Sequence, residues 1–136
     1  MMVKRQRGFT LIEALVALLV LTIGMLGVAA MQLKALQGAH AAYQRSIASL
    51  AAQDAQERLW ARMAELGDLT CPAAGDVNGD DQGWYGQWSD FLPGLGDSPV
   101  GDPTNCEFDV TVSWSESRFA DEAEPGFSYI VRLPGE

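Results

Sequence analysis

Four patterns of apolar and polar positions follow one another along the chain. From Ala14 to Met31 runs an uncharged, largely apolar stretch of 18 residues, near the length an α-helix needs to cross a bilayer. Between Phe9 and Leu66 there is no proline, and Ala, Leu, Gln, Arg and Met dominate, all good helix formers. One continuous helix is therefore predicted over 9–66, about 87 Å long at the standard rise. Its first half is apolar all round, which suits a membrane or a bundle core. Its second half is amphipathic: Ile47, Ala51, Ala55, Leu59, Met63 and Leu66 recur at helical spacing and form one stripe for packing. Asp54 and Arg58 lie four apart, acid first, the favourable order for a surface pair. Gly67 supplies a C-cap.

The third pattern, Asp68 to Asn105, is rich in Gly, Asp and Pro and reads as a long irregular surface segment. Within it Trp84 to Leu92 is predicted to form a short helix with Trp88 and Leu92 on one face, ended by Pro93-Gly94. The fourth pattern is strict alternation. Phe108, Val110, Val112 and Trp114 alternate with Asp109, Thr111 and Ser113, and Phe127, Tyr129, Val131 and Leu133 with Ser128, Ile130 and Arg132. These are two half-buried strands, joined by a polar connection from Ser115 to Gly126 as a long hairpin. Two strands alone are marginal, so their apolar face is expected to pack on the Ile47–Leu66 stripe. The fold class is α+β: a long N-terminal helix and a small antiparallel head.

Charge sharpens this division. Residues 1–8 carry three cations, Lys4, Arg5 and Arg7. Residues 9–66 carry four acids and four bases, and residues 67–136 carry 14 acids against Arg118 and Arg132. The cations ahead of the apolar run predict a cytoplasmic N-terminus. The electroneutral helix suits burial in a bundle. The acidic head suits water and opposes nucleic-acid binding, which needs a basic footprint.

Glu13 is the one charge close to the apolar run. A carboxylate at the centre of a membrane helix costs roughly 2.5–3.5 kcal/mol, less near the interface. It either snorkels to the headgroups or finds a cation. If the chain is cut after Gly8, Phe9 becomes a new N-terminus with a positive amine. Glu13 of one subunit could then pair with a neighbour's amine at low dielectric.

The two cysteines, Cys71 and Cys106, follow the membrane-spanning stretch and would lie where disulfides persist. Closing a loop of about 36 residues would stabilise the head by roughly 4 kcal/mol in the chain-entropy model, and a head of about 70 residues needs such a staple. Separate free thiols are the other reading. A metal site is disfavoured, because two Cys without nearby His cannot complete a tetrahedral shell. Asp76, Asn78 and Asp80 echo the first half of a calcium loop, but Asp81 stands where glycine belongs and Gln87 where glutamate belongs; a solvated acidic turn fits as well. The aromatic cluster Trp84, Tyr85, Trp88 and Phe91 reads as core rather than ligand platform. His40 is the only histidine and falls on the helix. No Ser-His-Asp or Cys-His set and no glycine-rich phosphate loop is present, so neither an enzyme nor a cofactor site is expected.

Gly8-Phe9-Thr10-Leu11-Ile12-Glu13 resembles the prepilin cleavage and N-methylation motif of type IV pilins. The resemblance continues through Ala14–Leu21 and Gly24-Met25-Leu26-Gly27, then Gln32–Leu36, Tyr43-Gln44-Arg45-Ser46 and Ala52-Gln53-Asp54. More loosely it takes in Trp88–Gly94 and Val110–Trp114. Together these are similar to the minor pilins of the PilV, or type IV pilus modification protein, family. The resemblance implies a leader at 1–8, a transmembrane and assembly half at 9–33, an amphipathic half at 34–67 and an acidic head at 68–136. It implies cleavage between Gly8 and Phe9 by prepilin peptidase, methylation of the Phe9 amine, and docking of Glu13 on a neighbouring subunit. Gly24, Gly27 and Gly38 each weaken the helix by roughly 1 kcal/mol against alanine. They serve either close helix packing or, as the resemblance implies for Gly24 and Gly27, local melting on entry to a filament.

The implied role is a structural subunit anchored in the bacterial inner membrane with its head in the periplasm, then carried on an extracellular pilus. Its partners would be prepilin peptidase, the major pilin and other minor pilins, a large tip adhesin and the inner-membrane assembly platform, in support of pilus assembly, adhesion and motility. Two alternatives remain. One is a minor pseudopilin of a type II secretion system, with the same N-terminal chemistry. The other is a secreted acidic binding module cut after Val28-Ala29-Ala30 by signal peptidase. An 18-residue apolar core is long for a signal peptide, and Glu13 sits badly inside one.

Overall fold

The computed structural model describes residues 8–79, 82–116 and 124–135. Lys4, Arg5, Arg7, Asp80, Asp81 and Arg118 lie outside the described residues. The elements are a long helix α1 (Leu11–Leu66), a 3₁₀ turn (Ala74–Asp76), a short helix α2 (Trp84–Trp88) and strands β1 (Glu107–Ser113) and β2 (Gly126–Arg132). This is an α+β, pilin-like layout with one disulfide. The chain divides into two compact units, Met1–His40 and Ala41–Glu136.

In the first unit α1 starts at Leu11, two residues later than the sequence suggests. Gly8, Phe9 and Thr10 are not helical. Every residue from Gly8 to Leu36 is solvent-exposed, including Leu11 at 86% and Leu26 at 74%. A continuous apolar surface of this extent is a site awaiting lipid or other protein. By length and composition α1 holds a stretch long and apolar enough to cross a membrane.

In the second unit the remainder of α1 buries Gln44, Ala48, Ala51, Ala52, Ala55, Leu59 and Met63. The stripe is thus broader than the predicted one at its N-terminal end. It is also shorter at the other end, where Leu66 is 41% exposed. Four of its members are alanines, and the methyl groups leave the helix carbonyls open to second donors. The Trp84 indole donates to the Ala51 carbonyl at 2.6 Å, and the Tyr129 hydroxyl donates to the Ala52 carbonyl at 2.7 Å. Both bonds tie the head to the helix backbone rather than to its side chains.

The hairpin pairs antiparallel with Phe108 opposite Val131, Val110 opposite Tyr129 and Val112 opposite Phe127. Phe108, Val110, Val112 and Trp114 are buried, as their alternation predicts, and join Leu59, Trp84 and Leu92 in one core. The second strand is less buried than its pattern suggests: Val131 and Leu133 are inside, but Phe127 is 41% exposed. Gly126, assigned from sequence to the connection, is the first residue of β2.

The predicted helix from Trp84 to Leu92 ends early, at Trp88. Beyond it the chain tightens into turns, with the Phe91 and Leu92 amides both donating to the Trp88 carbonyl. That turn sends Leu92 into the core and leaves Phe91 53% exposed, so Phe91 leaves the predicted aromatic core and only edges against Trp88, with ring centroids 6.3 Å apart. Gly94 follows at φ +64°, and a side chain there would strike the Ser115 hydroxyl. Glycine is required on both counts.

Burial raises the pKa of the Tyr129 phenol above its ordinary 10.0. The unfolded chain therefore loses this proton first as pH rises. The stability Tyr129 contributes is complete below about pH 10 and is lost as pH climbs through the raised folded value. Tyr129→Phe is expected to lower stability by about 1 kcal/mol at neutral pH and to flatten the alkaline limb. Thermal melts of both proteins from neutral pH to pH 11 check this, and parallel curves would remove Tyr129 from the alkaline transition.

Candidate functional site

The candidate site is the start of α1. Thr10 is its first acceptor: the Thr10 carbonyl takes the amides of Glu13 at 3.1 Å and Ala14 at 3.2 Å. Glu13 lies in the first helical turn, where the unpaired amides give a partial positive charge that favours a carboxylate by about 0.3–1 kcal/mol. The sequence alone makes Glu13 an intruder in an apolar run; the late helix start makes it an acid at a helix N-terminus. Gly8, Phe9, Thr10 and Glu13 line an open notch, and Phe9 is 84% exposed. Gly8 and Phe9 precede the helix and are not part of it. Gly8, Phe9 and Glu13 thus share one notch at the start of the helix.

Gly24 and Gly27 are set apart from that site, inside an unbroken helix. A Cβ built at either glycine, or at Gly38, meets nothing within 4 Å. Among the described residues no contact therefore demands glycine at these positions. Their use has to come from packing against other molecules or from a change in the helix itself.

In the second unit, Cys71 and Cys106 form a disulfide with Cα atoms 5.6 Å apart, well within bridging range. It ties the segment leaving α1 to the residue before β1. Gly135 packs on it, and a Cβ there would lie 2.6 Å from the Cys106 sulfur.

The side chains of the calcium-like segment have protein partners. Asp76 accepts from the Ala73 amide at 2.9 Å and pairs with Arg62 at 3.3 Å. Asn78 donates to the Val100 carbonyl and accepts from the Val100 amide at 2.9 Å. Asp80 lies outside the described residues. Among the described residues no group of three acids, His or Cys could hold a metal ion. The Arg62 guanidinium is held above its ordinary pKa by its Glu65 hydrogen bond and then by the Asp76 charge.

The anticipated Asp54–Arg58 pair forms at 2.9 Å, and Asp54 also accepts from the Trp88 indole at 3.0 Å. Two residues escaped the sequence pattern. Thr10 carries no side-chain signal, since only its carbonyl acts. Gln44 is 4% exposed with its side-chain oxygen unpartnered; its place four residues before Ala48 is the signal that would have found it.

Residues 3–29 match the family described as the prokaryotic N-terminal methylation motif. The chain carries a type IV pilin-like prepilin signal. The match covers about a fifth of the sequence and contains the Gly8–Phe9 bond, Glu13 and the first part of α1. It implies processing by prepilin peptidase and entry into pilus-type assembly machinery. It fits inner-membrane anchoring through the apolar helix. No curated protein and no solved structure shows a significant match to the chain.

Proposed function

We propose that the protein is a minor pilin of the PilV type, a structural subunit of a type IV pilus. The observation that carries this reading is the union of a methylation signal with an apolar helix half that is exposed among the described residues and an acidic head with a disulfide. The precursor sits in the inner membrane with its head in the periplasm. Prepilin peptidase cuts between Gly8 and Phe9 and methylates the new amine. Glu13 then pairs with the amine of a neighbouring subunit, and the apolar helix leaves lipid for the filament core. Gly24 and Gly27 lower the cost of the local unwinding or close helix approach which that transfer requires. The subunit joins other minor pilins in a tip and priming complex that carries a large adhesin and supports assembly, adhesion and motility.

The decisive measurement is the intact mass and N-terminal sequence of the chain recovered from sheared surface fibres. A chain beginning at N-methylated Phe9, two hydrogens light for one disulfide, is expected. A chain beginning at Met31, free in the medium, would overturn the reading. Co-purification with a tip adhesin rather than with secretion components separates a pilus subunit from a pseudopilin.

A further inference from the structure

The two edges of the hairpin are treated differently. In this register Phe108, Val110 and Val112 exchange ladder bonds with Val131, Tyr129 and Phe127, and the ladder is extended by the Leu133 amide to the Cys106 carbonyl and the Trp114 amide to the Pro125 carbonyl. The backbone groups of the alternate residues therefore point away from the partner strand. On β1 each of these residues has at least one such group bonded to a neighbouring segment. Glu107 pairs with Thr104, the Asp109 carbonyl takes the Gly101 amide, the Thr111 amide reaches the Pro99 carbonyl, and the Ser113 carbonyl takes the Gly96 amide. On β2 the equivalent residues are Gly126, Ser128, Ile130 and Arg132, and among the described residues none of their backbone groups has a partner outside the hairpin.

The β2 edge also lacks the usual defences against strand pairing. It is seven residues long, with no proline. Its one charge, Arg132, sits at its end and is paired with Glu107 at 3.1 Å. Ile130 is 61% exposed on the outer face, and Phe127, 41% exposed on the inner face, stacks against Tyr129 with centroids 5.7 Å apart. An incoming strand would find open donors and acceptors flanked by an apolar side chain on each face.

We infer that the free edge of β2 is a docking site for an extended, basic segment of another protein, which adds to the hairpin as a third strand. Main-chain bonds to Ser128, Ile130 and Arg132 supply affinity, and the exposed Ile130 selects apolar residues at the alternate positions that share its outer face. Charge chooses the occupant. Residues 67–136 carry 14 acids and two bases, so a second copy of this head would be repelled and a lysine- or arginine-bearing strand drawn in. The inference goes beyond the filament role and does not depend on it.

The test uses the full chain in nonionic detergent and an eight-residue peptide alternating valine and lysine. Hydrogen exchange at the Ser128, Ile130 and Arg132 amides is expected to slow by about tenfold or more on binding, with no change at Asp109 or Thr111. Ile130→Pro removes an outward N–H that β1 does not use, a position where an edge strand tolerates proline, and should weaken peptide binding at least about tenfold. The same peptide N-methylated along its backbone, which leaves the protein untouched, should fail to protect these amides. Three results would overturn the inference: binding without protection of these amides, equal binding of a valine–glutamate peptide, or protection that grows with protein concentration when no peptide is present. The last would make the edge a contact between copies.

Discussion

Replacing both Cys71 and Cys106 with alanine is expected to destabilise the head by about 4 kcal/mol, the chain-entropy value for closing a loop of this size. The separation is 35 residues, and the bridge joins the exit of α1 to the entry of β1. Without it the head is held to the helix by burial, by the bonds from Trp84 and Tyr129 to helix carbonyls and by partly exposed side-chain contacts such as Trp88 with Asp54 and Arg62 with Asp76. A two-stranded sheet does not sustain itself in water, and a small domain has only about 5–15 kcal/mol of net stability. For a unit of this size each kcal/mol moves Tm by about 4–8 °C, so the double variant should melt roughly 15–30 °C lower. The alanine pair avoids new thiols that could bridge two molecules. Far-UV melts of the oxidised chain and of the variant make the comparison. A drop of only a few degrees would mean that the core around Phe108, Trp84 and Leu59 stands without the staple.

The fold was legible wherever periodicity was long. The alternation of Phe108, Val110, Val112 and Trp114 declares a strand because each apolar residue is buried against the same helix face. The 56 residues of α1 were legible from the absence of proline and the run of helix formers. Its stripe was only partly so. Ala48 and Ala52 are small enough to look neutral in sequence, yet both are fully buried, and the Ala52 carbonyl accepts the Tyr129 hydroxyl. Leu66 has the right spacing, but Gly67 at φ +72° turns the chain away before anything covers it. Short elements failed for the expected reason: five residues of α2 cannot outweigh turn formation at Ser89 and Asp90, and Phe91 followed the turn into solvent. The methylation signal was legible by residue type and spacing, while the position of Glu13 in the first turn depended on where the helix begins, which local pattern fixes least well. In the calcium-like segment Asp76 and Asn78 are committed to protein partners: Ala73 lies three residues from Asp76, while Arg62 and Val100 are distant in sequence and no motif could reveal them.

Glu13→Ala is expected to leave cleavage intact and to abolish incorporation into fibres. In the precursor the carboxylate is exposed and near the partial positive charge of the first turn, so its loss costs little, about 0.3–1 kcal/mol. Removal of residues 1–8 changes its partner set, because the Phe9 amine becomes a full positive charge at the head of the helix. Between two subunits a pair at about 4 Å is worth about 4 kcal/mol at an effective dielectric near 20. An unpaired carboxylate drawn into the apolar core is penalised by about 2.5–3.5 kcal/mol. The acid therefore favours docking in one register and opposes every other. Alanine removes both terms: it can enter the core in any register, and it gains nothing from the amine. The expected loss, close to 4 kcal/mol, is a fall of about a thousandfold in the docking equilibrium. Glu13→Gln keeps the shape and a hydrogen bond but not the charge, and should recover only a small part. The check is paired: intact mass of the membrane fraction for cleavage after Gly8, and the amount of each variant in sheared fibres. Cleaved Glu13→Ala chains present in fibres at the native level would take the carboxylate out of assembly and return it to the role of an ordinary acid at a helix N-terminus.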